Sequence, residues 1–479
     1  MASHKTVHYL IALLKAYGIN SIVASPGTQN STFNFLVQED KDFNCYSVID
    51  ERSVVYVAIG MANELNKPVA ITCTGATAAR NYMSGLTEAY YSETPIVACT
   101  FYDPWTHKYN IAPQYTDRSV SQNDIKAISV TLPEINSNVD KNNVLLGINA
   151  ALSEAKYKNL PVHINCPASY DYNQELPTDI WTTEYHYERF SELKSELKNK
   201  KVAVHIGQHK KFTKEEECAL SEFAKSYNIP VICEHASNYH GKNKVLVAQM
   251  WYIKSDDIKP DIVIDIGGVS GIYYKCQIFN NSVLWRITKN PKFGARMNRP
   301  LRKMLIGLEK NIFSELKNDE SADSDLFGLI KSRIEKIEHP DFPISTTRVA
   351  QEFAKHIPGN SLLHLAILEA YERQDLFDLP ETVNTLCNLG GFGIDGAVST
   401  AVGQSLVNKD KTVFLLTGDL AFFYDMNIIG NRHIDKNLRI IVINNYEGVT
   451  MRLNPTLEKA WGEKQKVLVT AAEHNSRGG

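Results

Sequence analysis

Apolar and polar residues alternate along the first third of the chain in blocks that predict helices and strands in turn. Residues 7–17 carry apolar side chains at helical spacing and are followed by Gly18, a residue that favours helix termination. The strand-sized runs that come next are apolar almost throughout, which is typical of parallel strands covered on both faces. They are residues 21–25, 69–73, 95–100 and 160–167. This pattern predicts a doubly wound α/β domain.

The same alternation continues towards the C-terminus with two interruptions. Residues 170–188 and 318–325 are polar or charged and contain few aliphatic side chains, as expected for linkers. The sequence therefore predicts an α/β protein with three doubly wound, parallel-sheet domains. Their predicted limits are residues 1–175, 190–335 and 342–479. The pair Gly267-Gly268 lacks the spacing of a nucleotide-binding fingerprint, so we interpret it as a structural turn and the middle domain as architectural.

Composition and charge exclude two classes of function. A net charge of -3 offers no basic surface to a polyanion, so nucleic-acid binding is not expected. The longest apolar runs are strand-sized, far below the roughly 20 residues that a membrane helix needs. The N-terminus lacks the apolar core of a signal peptide, and the eight cysteines are scattered without a Cys-x-x-Cys pair. We therefore expect a cytoplasmic protein with buried free thiols.

Two short motifs in the last part of the chain predict a metal and diphosphate site. Gly418-Asp419 ends one predicted strand, and Asn444-Asn445 ends the next one along the chain. Because neighbouring parallel strands end at the same edge of a sheet, the carboxylate and the amide oxygen are expected to lie together. With a main-chain carbonyl from the following turn, at Glu447, these oxygens suit Mg²⁺, which keeps further positions for water and phosphate.

The spacing of these two motifs resembles that of the thiamine-diphosphate-dependent enzymes, and a motif in the N-terminal part supports the resemblance. Residues 48–62 are similar to the segment that carries the essential glutamate of this superfamily, and Glu51 is that residue. The resemblance implies that Glu51 shares a proton with the aminopyrimidine of the cofactor and so makes that ring basic. Taken alone, Glu51 also fits an ordinary carboxylate at a helix N-terminus.

The resemblance assigns the three domains as pyrimidine-binding, central and diphosphate-binding. In the third domain, the glycine-rich segment 388–400 permits a close approach of the backbone to a ligand, and Phe392 is the bulky residue on which the two cofactor rings fold. The same segment also fits a simple helix-entry turn. The implied cofactors are thiamine diphosphate and Mg²⁺. The implied cofactor-binding residues are Ser25, Gly27, Thr77, Asn81, Phe392, Gly393, Ile394, Gly418, Asp419, Leu420 and Asn445, and the implied metal ligands are Asp419, Asn445 and Glu447.

Further short motifs lie at residues 25–27, 50–52, 161–167, 393–396, 418–420, 424–427 and 444–445. Together they resemble the synthases of the menaquinone pathway that join 2-oxoglutarate to isochorismate, named 2-succinyl-5-enolpyruvyl-6-hydroxy-3-cyclohexene-1-carboxylate synthases. Gln114 corresponds to an active-site glutamine of that family and is a candidate catalytic residue. Nearby, His107, Tyr109 and Asn110 are candidates for proton transfer. A lone histidine in a surface loop is more often only solvated.

Three arginines of that family's motifs are missing from this chain, in the segments that contain Gln29, Tyr102 and Leu389. These side chains cannot replace a planar, bidentate clamp for a carboxylate, which argues against dicarboxylate donors and isochorismate as substrates. We expect decarboxylation of a 2-oxo acid and transfer of the resulting carbanion to an unidentified acceptor. The alternatives are a simple 2-oxo-acid decarboxylase, an acetolactate-synthase-like enzyme, and a non-catalytic regulatory subunit with the cofactor fold.

The resemblance also implies an assembly. In this family the domain of Glu51 and the domain of Asp419 face each other across a subunit boundary, so a homodimer or homotetramer with shared sites is expected. The expected partners are otherwise small molecules. Two interpretations of the C-terminus stay open: the third domain is truncated after Gly479, or it closes differently from the family.

Overall fold

Strands and helices alternate along the whole part of the chain that the structure describes. The structure is a computed structural model, and it describes residues 5–49, 51–65, 67–91, 94–103, 123–272, 279–288, 299–318, 324–389, 392–394, 396–430, 434–461 and 469–471. The chain divides into two compact units: Met1–His186 with Pro291–Met304, and Tyr187–Asn290 with Leu305–Gly479. The predicted α/β class is confirmed, whereas the limits of the three predicted domains stay a prediction.

The first unit is a parallel sheet with helices on both faces. Its strands are β1 (Ser21–Ala24), β2 (Asn44–Ser47), β3 (Val69–Thr74), β4 (Ile96–Tyr102), β5 (Ile128–Thr131) and β6 (Val162–Pro167). Its helices are α1 (Thr6–Ala16), α2 (Ser31–Glu39), α3 (Glu51–Leu65), α4 (Ala76–Asn81), α5 (Met83–Tyr91) and α6 (Asn138–Lys158). The six strands have the order β2-β1-β3-β4-β6-β5, and their pairings are parallel.

The central strands β3 and β4 are buried almost throughout because both faces of the sheet are covered there, whereas the edge strand β2 is exposed. In β3, Ala70 packs in a cluster with residues of α1 and α6, whereas the next residue, Ile71, packs in a second cluster with residues of α3 and α5. Side chains that alternate between two helical layers give the doubly wound arrangement. Helix α6 is capped at both ends. At its N-terminus the Ser137 side chain accepts the Asp140 N–H, and at its C-terminus Asn159 adopts a left-handed conformation with φ 55°.

The second unit contains two parallel sheets, and the first of them is formed in the central part of the chain. A short strand of the first unit, β7 (Glu184–His186), precedes this sheet in the chain. The strands of the central sheet are β8 (Val202–Ile206), β9 (Val231–Cys233), β10 (Lys244–Leu246), β11 (Ile262–Ile266) and β12 (Val283–Thr288), in the order β10-β9-β8-β11-β12. The helices are α7 (Lys194–Leu197), α8 (Lys214–Ser226), α9 (Val247–Met250), α10 (Glu309–Leu316) and α11 (Leu326–Ile334), with 3-10 turns at Phe190–Leu193, His235–Ser237 and Asp256–Ile258.

A further strand, β13 (Leu301–Ile306), explains why residues 291–304 group with the first unit. Its Lys303 forms an ion pair with Glu184 of β7 at 2.9 Å, and the Thr183 hydroxyl donates to the carbonyl of Leu301 at 2.7 Å. Both contacts lie within the first unit. The linear pattern of the sequence does not reveal this return of the chain.

The second sheet of this unit carries the strand ends that the sequence singles out. Its strands are β14 (Leu362–Leu365), β15 (Asn384–Leu386), β16 (Val413–Gly418) and β17 (Leu438–Ile443). Its helices are α12 (Thr346–His356), α13 (Glu369–Gln374), α14 (Ala397–Val407), α15 (Asp419–Tyr424), α16 (Val449–Arg452) and α17 (Pro455–Trp461), with a 3-10 turn at Met426–Gly430. The strand order is β15-β14-β16-β17, and all three pairings are parallel.

Two features bear on the environment of the protein. Among the described helices, none has the length and hydropathy that a membrane crossing requires. None of the cysteines in the described ranges forms a disulfide. Cys73, Cys99, Cys166, Cys233 and Cys387 are buried, and Cys45 and Cys218 are exposed.

Candidate active site

The Asp419 carboxylate lies at the carboxyl edge of the second sheet of the second unit. Strands β16 and β17 are neighbours, and Gly418 pairs with Ile443, so Asp419 and Asn444 leave the sheet side by side. Asp419 begins α15 and is only 2% exposed. Its two carboxylate oxygens accept the N–H groups of Leu420 at 2.9 Å and Tyr446 at 2.7 Å. These bonds fix the carboxylate and join the two strand ends.

The turn after β17 carries two further predicted ligands, Asn445 and Glu447, on either side of Tyr446, whose N–H donates to Asp419. The Asn445 amide oxygen accepts the N–H of Glu447 at 3.4 Å, and Tyr446 between them has φ 64°. The Glu447 carboxylate is paired with Arg452 at 3.0 Å, and its main-chain carbonyl accepts the N–H of Val449 at 3.0 Å. Within the described ranges, no group of three or more His, Cys, Asp or Glu side chains is arranged so that it could hold a metal ion. A metal here would therefore rest on one carboxylate with amide and carbonyl oxygens.

The glycine-rich segment is tied into a closed turn by Asn388. Its amide N–H₂ donates to the carbonyl of Gly396 at 3.2 Å and lies 3.1 Å from the Thr400 hydroxyl. Within the turn, Phe392 has φ 51°, a conformation that side chains rarely adopt, and its N–H donates to the carbonyl of Asn388 at 3.2 Å. Gly393 and Ile394 are half-buried. The turn leads into α14, which packs against β14, β16 and α15, the helix that begins at Asp419.

In the first unit, Glu51 begins α3 just after β2 and is half-buried. The Asn81 side chain, at the end of α4, lies 3.4 Å from the Glu51 carboxylate, with its N–H₂ as donor. Thr77 and Asn81 are both exposed on α4. The structure therefore brings Asn81 to Glu51.

The turn after β1 links the strand ends on either side of it. The Ser25 hydroxyl donates to the carbonyl of Ile49 at 2.9 Å, just before Glu51. Gly27 is needed for close packing, because a Cβ at this position would lie 2.2 Å from the Thr74 side chain. Since β2, β1 and β3 are adjacent, the turns that carry Glu51, Ser25 and Thr77 belong to one edge of the sheet.

Comparisons with known proteins relate the first part of the chain to a known family. Residues 4–127 match the family model of the thiamine pyrophosphate enzyme, N-terminal TPP binding domain. The predicted resemblance to thiamine-diphosphate enzymes is confirmed. Glu51, Ser25, Gly27, Thr77 and Asn81 all lie within the matched residues.

Curated relatives extend the resemblance over nearly the whole chain. The 2-succinyl-5-enolpyruvyl-6-hydroxy-3-cyclohexene-1-carboxylate synthase of Phocaeicola vulgatus is 29% identical over 99% of this chain and 88% of its own length. The synthases of the same name from Flavobacterium johnsoniae and Oceanobacillus iheyensis are 28% and 27% identical, over 93% and 90% of this chain and 84% and 81% of their own lengths. The similarity to the synthase of Phocaeicola vulgatus therefore includes the segment that contains Asp419.

Several predicted residues of the thiamine-diphosphate site cannot be placed. Gln114, His107, Tyr109 and Asn110 lie outside the described residues. Where the family motifs have arginines, the side chains of this chain make internal contacts. The Tyr102 hydroxyl donates to the carbonyl of Leu132 at 2.8 Å, and Leu389 is fully buried.

Sequence reasoning missed two side chains that join the turns of the first unit. The Gln29 carbonyl oxygen accepts the N–H of Gly75 at 3.0 Å, and the buried Asn30 amide donates to Thr72 Oγ1 at 3.1 Å. An amide residue two positions after a Pro-Gly turn was the available signal. Gln29 thus fixes the loop that leads into α4. Helix α4 ends at Asn81, the residue that contacts Glu51.

Exposed apolar side chains border both candidate half-sites. Close to Glu51 in the chain, Ile49 is 87% exposed, and Val57 is exposed on α3. Around Asp419, the exposed apolar side chains are Tyr424, Met426, Ile429, Tyr446, Met451 and Leu453. Apolar surface gathered in this way is typical of interaction sites.

Proposed function

We propose that this protein is an enzyme that uses thiamine diphosphate and Mg²⁺ to decarboxylate a 2-oxo acid and to transfer the remaining unit to an acceptor. The observation that carries the proposal is the state of Asp419. Its carboxylate is buried at a sheet edge, accepts two main-chain N–H groups, and forms no ion pair with a cationic side chain in the described part of the chain. A buried charge without a partner is costly, and a metal ion is the partner that oxygen ligands at this edge suit.

Residues of the second unit would bind the metal ion, the diphosphate and the rings of the cofactor. Asp419, Asn445 and the main-chain carbonyl of Glu447 would hold Mg²⁺ and, through it, the diphosphate, with Gly418 and Leu420 beside it. Phe392, Gly393 and Ile394 would support the cofactor between its rings. Bound thiamine diphosphate supplies the nucleophilic carbon and the electron sink that decarboxylation of a 2-oxo acid needs.

In the other half-site, Glu51 would hold the proton at the pyrimidine nitrogen. Asn81 donates to the Glu51 carboxylate, and that contact would orient it. Ser25, Gly27 and Thr77 would line the same edge, and Gln114 would act on the substrate. The position of Glu51 supports this role, because its half-buried carboxylate begins α3 and is partly open to a ligand.

The complete site is proposed to need two chains. The domain of Glu51 from one chain would meet the domain of Asp419 from another, in a homodimer or homotetramer with equivalent shared sites. The exposed apolar side chains around each half-site support this assembly, because a second chain would cover them.

The substrate is proposed to be a 2-oxo acid without a second carboxylate. Gln29 and Tyr102 stand in segments where the relatives' family carries arginines, and both side chains are engaged within the protein. Neither offers a bidentate carboxylate clamp.

A direct assay tests the function. Purified protein with Mg²⁺ and thiamine diphosphate is given pyruvate, 2-oxoglutarate and a panel of other 2-oxo acids, and released CO₂ is measured with and without aldehyde or activated-alkene acceptors. We expect CO₂ release from a monocarboxylic 2-oxo acid and a new carbon–carbon bond with an acceptor. CO₂ release with no ligated product from any acceptor would favour a simple decarboxylase. No CO₂ from any acid, despite cofactor binding, would favour a non-catalytic subunit.

A further inference from the structure

The turn after β9 makes a dense set of contacts to the segment that follows β14. Glu234 and His235 form this turn, and they bond to residues of α13 and to the loop after it. All of these residues belong to the second unit. The segment they hold starts at the carboxyl end of β14, next to β16 and Asp419.

The Glu234 carboxylate is 1% exposed and is satisfied entirely by neutral donors among the described residues. It accepts the Tyr371 hydroxyl at 2.6 Å, the N–H of Gly271 at 2.9 Å and the hydroxyl of Ser270. Burial, and then the charge of Glu234, raise the pKa of Tyr371 well above its usual range, so the phenol keeps its proton and stays a donor. Helix α13 is thereby anchored at its middle.

His235 anchors the far end of the same helix. Its main-chain N–H donates to the Asp375 carboxylate at 2.8 Å, and its ring Nε2 donates to the carbonyls of Phe377 at 2.9 Å and Gln374 at 3.2 Å. Burial lowers the pKa of His235 to about 3, so the ring is neutral and is a donor at one nitrogen only.

The near end of the helix contains a strained residue. Leu368 has φ 64° and ψ -125°, a region that side chains avoid, and it directly precedes α13. Such a conformation persists only where the surroundings hold it, and it tends to occur at functional sites. The N–H of Ala366 donates to the carbonyl of Leu416 at 3.0 Å, two residues before Gly418. The strained residue therefore lies at the strand edge of Asp419.

The same anchor reaches the glycine-rich turn. A Cβ on Gly271 would lie 2.5 Å from the Tyr371 ring and 2.7 Å from the Leu389 side chain, so these residues are packed together without free space. Leu389 is next to Asn388, which closes the turn around Phe392. In addition, the Gln208 amide donates to the carbonyl of Cys387 at 2.8 Å.

We propose that Glu234 and Tyr371 are positioning residues that keep Leu368 in its strained conformation and so shape the cofactor edge beside Asp419. The inference rests on the proposed function for its consequence, but not for its geometry. Glu234 belongs to the middle of the chain, which the sequence indicates as architectural. The proposal gives this region a role in shaping the cofactor site. Neither residue touches the cofactor in this account, and both act through the segment that they hold.

The test compares Tyr371→Phe and Glu234→Gln with a matched control, Tyr227→Phe. Tyr227 is also buried in the second unit and donates its hydroxyl to a main-chain carbonyl, that of Leu316, at 2.9 Å. Thiamine diphosphate binding with Mg²⁺ is measured by calorimetry on the full-length protein. We expect the Kd to rise about tenfold in both test variants, a change of about 1.4 kcal/mol, and to stay within twofold of wild type in the control.

Amide hydrogen exchange without cofactor provides the second measurement. The N–H of Ala366 is bonded to Leu416, and the N–H of Glu372 is bonded to the carbonyl of Leu368 at 2.8 Å, so both report on the anchored segment. We expect at least tenfold faster exchange at these two amides in Tyr371→Phe, and no acceleration there in Tyr227→Phe. Unchanged exchange, or an unchanged Kd in both test variants, overturns the proposal. If the wild-type protein binds no thiamine diphosphate, the proposed function fails, and exchange alone then decides the positioning role.

Discussion

Two carboxylates of the second unit are buried to the same degree and are used in opposite ways. Glu234 accepts hydrogen bonds from two hydroxyl groups and from main-chain N–H groups, and it joins two parts of the unit. Asp419 accepts two main-chain N–H groups and lies at the end of a strand, at an edge where parallel sheets bind ligands. The comparison shows that burial alone does not mark a site. What distinguishes Asp419 is that the protein leaves its charge without a hydroxyl or cationic partner in the described residues.

Glu51 extends the comparison to a third carboxylate, which is half-buried and accepts one long bond from Asn81. If Glu51 acts in proton transfer, Glu51→Gln should keep the fold and the cofactor affinity. Proton exchange at the thiazolium C2 carbon should slow at least a hundredfold. Quenched-flow NMR measures this exchange. Wild-type exchange rates in the variant would make Glu51 a structural residue.

Mixing two inactive variants tests whether Glu51 of one chain and Asp419 of another chain form one active site. Glu51→Gln and Asp419→Ala chains are each expected to be inactive. After re-equilibration in equal amounts, about half of the dimers combine both variants and contain one intact site, so about a quarter of the wild-type activity should return. Native mass spectrometry confirms that mixed dimers form. Mixed dimers without activity would mean that both carboxylates serve the same chain.

Stability should separate the two buried carboxylates directly. In the cofactor-free protein, Glu234→Gln leaves buried donors without an acceptor and is expected to cost about 1–3 kcal/mol, seen as a lower melting temperature. Asp419→Asn keeps an oxygen for one N–H and removes an unpaired buried charge, so its effect should stay within about 0.5 kcal/mol. Equal losses of stability in Glu234→Gln and Asp419→Asn would contradict different roles for the two carboxylates.

Acid should affect the region of Glu234 through its neighbour His235. The pKa of His235 is about 3 in the folded protein and about 6.5 when unfolded, so the unfolded chain takes up a proton that the folded chain excludes. Stability is therefore lost as pH falls from 6.5 towards 3, by up to about 1.4 kcal/mol per pH unit.

The variant His235→Gln should lose less stability than wild type between pH 7 and pH 5, by about 1–2 kcal/mol. Melting curves at the two pH values measure the difference. His356→Gln, at an exposed helix end, is the control and should follow wild type. The same pH dependence in His235→Gln as in wild type would contradict the assignment.

The sequence predicts the position of Asp419 at a strand end because strand pattern and strand end are local properties. An apolar run that ends in Gly-Asp places its carboxylate at the sheet edge in any parallel sheet, and the pairing of Gly418 with Ile443 agrees with this. The role of Glu51 comes from a motif rather than from spacing, and its contact with Asn81 joins residues of two helices. Neither inference needed knowledge of distant contacts.

The anchor around Glu234 could not be predicted, because it depends on residues far apart in the chain. Glu234 and Tyr371 are 137 residues apart, and no periodic pattern links them. Leu368 also gives no signal, since a leucine is not a residue expected at positive φ. The return of residues 291–304 to the first unit is missed for the same reason.

Calorimetry of Asp419→Ala tests the central claim most directly. Thiamine diphosphate is titrated into wild type, Asp419→Ala and the exposed-surface control Asp435→Ala, each with Mg²⁺ and again with a chelator. We expect metal-dependent binding in wild type and in the control. In Asp419→Ala the Kd should be at least tenfold weaker, because the only charged ligand proposed for the metal is gone. Equal, metal-dependent affinity in wild type and Asp419→Ala would contradict this expectation.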